Sequence, residues 1–158
     1  MSFGGWVFFI LVGAPLSVIL QDSLAPSLSI LGGQPDFPLL LICLCSLMAR
    51  PAGGAAFGGW VGLLTGSLAG ANLTHYVTTR AVTGFLSAWA RDINIDFNVA
   101  VACVVAAVGV MIGQAGLLFF APTPAIGTFI QATIISAIYN GVVAAPLYWV
   151  LRRFSSRR

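Results

Sequence analysis

The chain contains no lysine and no glutamate; its charges are seven arginines and four aspartates, 7% of 158 residues. A soluble domain carries about 25% charged residues. So sparse a supply excludes a surface that faces water everywhere. A single histidine, His75, and the absence of glutamate leave few players for acid–base chemistry or a metal cluster. Cys43, Cys45 and Cys103 all sit in apolar runs without His or carboxylate neighbours at ligand spacing, and read as small packing residues. No polar stretch is long enough for a soluble domain. What is present is 59% hydrophobic, with a mean hydropathy of +1.00. The bilayer is therefore the expected solvent, and the expected fold is one all-α membrane domain over residues 1–158.

The net charge of +3 does not point to nucleic acid. The arginines are scattered singly until Arg152, Arg153, Arg157 and Arg158, which follow an apolar run and read as an anchor on anionic lipid headgroups. Proline, glycine and charge divide the rest into six apolar segments, predicting helices at about 4–20, 35–49, 52–70, 73–90, 97–121 and 126–151. Pro15 predicts a kink in the first. No basic residue precedes that first segment and no small-x-small site follows it, so it reads as a span rather than a cleaved leader. A cytoplasmic N-terminus puts Arg50, Arg91 and the four C-terminal arginines all inside; the inverted arrangement puts all of them outside. Both termini are therefore expected on the cytoplasmic side.

The second segment is short. Phe37 to Ala49 makes a helix of roughly 20 Å, against about 30 Å of hydrocarbon. The preceding Leu24–Gln34 stretch holds Pro26 and Gly32-Gly33 but also Leu28, Ile30 and Leu31. Part of it is expected to dip into the outer half of the membrane as irregular backbone, covered by protein or a wet cavity. The helix would start at Pro35, with Asp36 on its positive dipole end.

Two constellations stand out. Gly54, Gly58, Gly62, Gly66 and Gly70 recur every fourth residue and make a groove along one helix face. Close backbone approach is what holds helices together in lipid, so the groove should seat another helix, of this chain or of a partner. On the fourth helix, Asn72, His75, Tyr76, Thr79, Arg80, Thr83 and Ser87 fall within an arc of roughly 140°, which must face the bundle interior or a cavity. Arg80 lies within the span, where a charge costs several kcal/mol unless paired, so it reads either as a functional residue or as a strut between helices. Asp92 and Asp96 are on the wrong side to reach it and Asp22 is in the external turn. Asp36 is the expected partner, with Asn140 or carbonyls of the Leu28–Gly33 stretch as substitutes. Asn140, on the sixth helix with Ala132, Ser136 and Ala144 at spacing four, should hydrogen-bond to a neighbouring helix. His75 alone makes no metal site. Ser67 lacks the glycine at position 65 that a nucleophile elbow requires. Neither catalysis nor a cofactor is expected.

Three motifs carry a family resemblance. Gln34-Pro35-Asp36-Phe37-Pro38-Leu39-Leu40-Leu41 resembles the Pro-Asp helix start of the rod shape-determining protein MreD family. The Gly-rich helix through Gly62-Leu63-Leu64 and Gly70, with Gly84-Phe85 after it, resembles that family's next block. Ile138-Tyr139-Asn140-Gly141 and Ala145-Pro146-Leu147-Tyr148, followed by a basic end, resemble the last. Together they run from about residue 30 to 153. The family often has an Asp shortly after Gly-Leu-Leu; here Thr65-Gly66 stands in its place, and that residue's role is not carried over. The resemblance implies a non-enzymatic component of the cell-elongation and peptidoglycan-synthesis machinery in the bacterial plasma (inner) membrane. Its partner would be the single-span protein MreC, linking MreB filaments to the wall synthases. It also implies a fold similar to the substrate-binding subunits of energy-coupling-factor transporters, so the alternative is a small-molecule-binding transporter subunit. The polar stripe of the fourth helix and the dipping segment would then line its outward pocket.

Overall fold

The computed structural model describes residues 3–70, 72–90 and 98–155. Arg91, Asp92, Asp96, Arg157 and Arg158, which enter the charge argument above, lie outside the described residues, as do Phe97 and the side chain of Arg153. The described residues are helical throughout, apart from turns and one isolated bridge. The first rod is α1 (Phe3–Phe8), a π-helical turn (Phe9–Gly13) and α2 (Ala14–Ser23). After a 3-10 turn (Ala25–Leu28) come α3 (Phe37–Ser46), α4 (Pro51–Leu68), α5 (Leu73–Trp89), α6 (Val99–Phe120) and α7 (Ile126–Ser155). Three rods are long and apolar enough to cross a membrane: Gly5–Ser23, Val99–Phe120 and Ile126–Arg152.

The chain takes up Pro15 directly after the π-helical turn. Ala14 N–H donates to Phe9 O, five residues back. The next donor in that pattern would be Pro15, which has no N–H, so Ile10 O is left without a helical partner. The Trp60 indole of α4 fills the gap, donating to Ile10 O at 3.1 Å. A defect in the first rod thus becomes the point at which α4 is fastened to it.

The α4 glycines seat the chain's own α5, the most extensive pairing in the fold. Gly54 lies under Gly84 O, Gly58 under Arg80 O and Gly62 under Tyr76 O. A Cβ at Gly62 would sit 2.6 Å from that carbonyl, and one at Gly66 3.2 Å from Tyr76 Cβ. Spacing four on one helix meets spacing four on the other, so the row works along its length. Gly70 is a correction: it is exposed, a Cβ there would meet open space, and it does not belong to the packing row. α4 ends at Leu68, and Gly70 turns the chain with a φ of 59°, which glycine adopts without steric cost. Asn72 then caps α5, accepting from Thr74 N–H at 3.1 Å.

Short α3 is the hub. Leu39, Ile42 and Cys45 join a core with Ala14, Phe57, Val61 and Val110, while Leu40 and Leu44 face Ala102, Ala106 and Tyr148. A second glycine series, on α6, lets this happen. Gly113 abuts the Leu39 side chain, Gly109 faces Cys43 Sγ, and Gly116 receives Thr79 of α5. Both boundaries of α3 differ from expectation. α3 begins at Phe37, with Pro38 rather than Pro35 in its first turn, and it ends at Ser46 rather than Ala49. The Asp36 side chain caps the helix, so the dipole start falls one residue after the aspartate.

Candidate functional site

Asp36 is carried to the centre of the bundle by the irregular segment before it. Ile30 and Gly33 exchange backbone hydrogen bonds at 2.8 and 2.9 Å around Leu31 (φ 49°) and Gly32 (φ 83°), a turn with both central residues left-handed. Gly33 lies directly on Ile135, too close for any side chain. From there the chain descends alongside α7. Gln34 O accepts the Ser136 hydroxyl, and Asp36 N–H donates to Asn140 Oδ1 at 3.1 Å. Asn140, fully buried, returns its amide to Ser136 O at 2.7 Å. Gln21 at the end of the first rod accepts from Phe37 N–H at 2.9 Å. Three backbone groups of the irregular stretch and its exit, Gln34 O, Asp36 N–H and Phe37 N–H, thereby find side-chain partners.

The Asp36 carboxylate divides its two oxygens. Oδ1 accepts from Leu39 N–H at 2.9 Å, capping α3. Oδ2 meets Gln114 Nε2 of α6 at 3.4 Å and Arg80 Nη2 of α5 at 3.9 Å. The structure therefore brings together the aspartate and arginine singled out above. Both are buried, Arg80 to 3% exposure, yet at 3.9 Å the ion pair is too long to be a hydrogen bond. Arg80 Nε has no hydrogen-bond partner among the described residues. The guanidinium carbon lies 5.3 Å from the centre of the Tyr76 ring, within cation–π range. α5 is held in this orientation from two sides, by Gly58 against Arg80 O and by Gly116 against Thr79. Thr79 and Thr83 hide their hydroxyls on their own helix, donating to His75 O and Thr79 O.

The rest of the polar stripe divides by depth. Thr79, Arg80, Thr83 and Ser87 are buried, as an inward stripe requires. His75 and Tyr76, expected to be buried with Arg80, are only half-buried. They lie in the first turn of α5, where the bundle opens, and His75 stacks on Phe120 at the end of α6 with ring centres 5.0 Å apart. Asn140 serves the Asp36 backbone and not Arg80. Two members of the site had no assigned place in the sequence reading: Gln114, the one amide in the apolar run of α6, and Gln21. A lone amide inside a span needs a partner for the same reason a lone arginine does, and that was the available signal.

Beside Gln114 is a half-open recess of about 120 Å³, lined by Gly32, Gly33, Gln34, Gln114, Phe129, Ala132, Thr133 and Ser136. The site as a whole is a net-neutral pair joining α3, α5, α6 and α7, with a small polar hollow on its flank. No family model, no curated protein and no solved structure matches this chain.

Proposed function

We propose that the chain is a non-catalytic membrane scaffold of the kind the MreD family supplies to the bacterial cell-elongation complex. It would span the inner membrane six times with both termini cytoplasmic, and bind an MreC-like single-span partner within the bilayer. MreB filaments and wall synthases would be engaged through that complex. The observation that carries this reading is how the polar side chains of the core are spent. Asp36 caps a helix, Asn140 and Ser136 hold the irregular segment, and Gln114 and Arg80 meet the same carboxylate. These are joints between rods rather than a reaction centre aimed into a cleft.

One observation favours the transporter alternative: the recess lies under the Ile30–Gly33 turn, where an outward pocket would be expected. Its volume argues the other way. About 120 Å³ falls short of the roughly 300–1,000 Å³ typical of small-molecule pockets. Depletion in a rod-shaped host, with mass spectrometry of what co-purifies in mild detergent, separates the two. The scaffold reading expects rounded cells and a co-eluting single-span protein. Loss of vitamin uptake with cell shape intact would replace it by the transporter reading.

A further inference from the structure

The Arg80–Asp36 pair is unusual in being buried, loose and incompletely bonded. Arg80 offers five N–H donors. The contact it makes with Asp36 is 3.9 Å, and Nε, itself buried, has no hydrogen-bond partner among the described residues. A polar contact longer than about 3.5 Å invites a bridging molecule. One residue away, across Gln114, lies the half-open recess, whose walls include the Gln34 and Gln114 amides and the Thr133 and Ser136 hydroxyls. Its volume of about 120 Å³ has room for several waters, each of which takes roughly 30 Å³ in the liquid. Ser136 is ten residues into α7, about 15 Å along the helix, which is half of the roughly 30 Å hydrocarbon core.

We propose that this recess is a water-filled vestibule, bordered at its inner end by Gln114, from which water reaches and bridges the Arg80–Asp36 pair inside the bilayer. Its occupants are small, neutral, hydrogen-bonding molecules. Arg80 and Asp36 cancel one another, and the walls carry amides and hydroxyls rather than charge, so the vestibule offers no net attraction to an ion. The same water relieves the cost of an arginine within a span without requiring ideal pairing. This inference rests on the membrane reading above.

The test compares four single-cysteine additions in lipid nanodiscs, using silver ion as a water-sized, lipid-insoluble thiol probe, with protection against later alkylation of the denatured chain as readout. Thr123→Cys, in the loop before α7, marks open water. Ile134→Cys marks the lipid-facing side: Ile134 is 46% exposed and shares an apolar groove with Met111 and Ala115. Ala132→Cys and Ser136→Cys report the vestibule, and the wild-type chain, whose own cysteines are buried or half-buried, sets the blank. Ser136 is only 7% exposed, so bare accessibility ranks it below Ile134, whereas hydration ranks it above. Because the reactive form is the thiolate, which needs water to form, both vestibule sites should react within about tenfold of Thr123→Cys, and Ile134→Cys about a hundredfold more slowly. Slow reaction at both vestibule sites and at Ile134 leaves the membrane reading standing and overturns the vestibule. Fast reaction at Ile134 overturns both together. A second readout is thermal stability of Asp36→Ala: formate, reaching Arg80 through the vestibule, should raise its Tm while leaving Asp36→Ala/Arg80→Ala unchanged. Equal effects of formate on the two variants would count against the route.

Discussion

Arg80 and Asp36 are the residues on which the centre of the molecule turns. Their mutual distance of 3.9 Å makes the pair a poor source of net stability, since two desolvated charges are barely repaid by so long a contact. Its asymmetry matters more. Removing one partner leaves the other buried and uncompensated, so Arg80→Ala and Asp36→Ala should each cost about 3–5 kcal/mol. The double replacement should cost less than either single change. A thermal-unfolding cycle in detergent measures this, and strictly additive losses would refute coupling between the two side chains. Leu31 is a different kind of residue. It holds a φ of 49° while 77% exposed, so its side chain contributes little packing in return for a left-handed backbone. Leu31→Gly should raise stability by about 0.5–1 kcal/mol, the relief of left-handed strain less the entropy glycine brings to the unfolded chain. A lowered Tm for that variant would mean that the exposed side chain has a partner.

At the level of the helix, the decisive pairing is α4 on α5. The two backbones approach so closely that a methyl group on Gly54, Gly58 or Gly62 would meet a carbonyl of the other helix. That approach brings Arg80 O onto Gly58 while the Arg80 side chain reaches Asp36 on α3, so the glycine row also aims the charge. Gly62→Leu should therefore separate α4 from α5 and reduce the yield of folded protein, with at least about 1–3 kcal/mol lost to overpacking. Gly70→Ala tests a separate property. It has open space around it but a φ of 59°, so the loss should be the smaller one of backbone strain, about 1–2 kcal/mol. Equal stability of Gly62→Leu and wild type would show that the row is not a close crossing. The groove was readable because five glycines at one spacing share a helix face. Its occupant was not, because α5 and a partner helix satisfy the same small-residue rule.

For the whole molecule, the proposed arrangement puts the Gln21, Asn72 and Thr123 ends of the rods outside and Arg50 inside. Impermeant labelling of cysteines placed near Gln21, Asn72 and Thr123 in intact cells checks this, and reaction only from the cytoplasmic side would reverse the orientation. Composition and the length of the apolar runs pointed to helices: with 7% charge and 59% hydrophobic residues, uninterrupted apolar segments satisfy their backbone groups internally only as helices. Local signals were equally direct. Gly and Pro punctuation located the breaks, the brevity of the apolar run Phe37–Ala49 implied the irregular segment before it, and depth matching led from Arg80 to Asp36. These properties belong to single segments, so spacing and length along the chain suffice to read them. Helix neighbours are a different matter, because they depend on which surfaces meet. The π-helical accommodation of Pro15 needs Trp60 from 45 residues further on, and the α6 glycines acquire meaning only when Leu39, Cys43 and Thr79 arrive opposite them. The distances among Asp36, Gln114 and Arg80 are set by three rods at once, α3, α6 and α5. Periodicity tells which way a side chain faces on its own helix; only the packed bundle decides what it faces and whether room for water is left beside it.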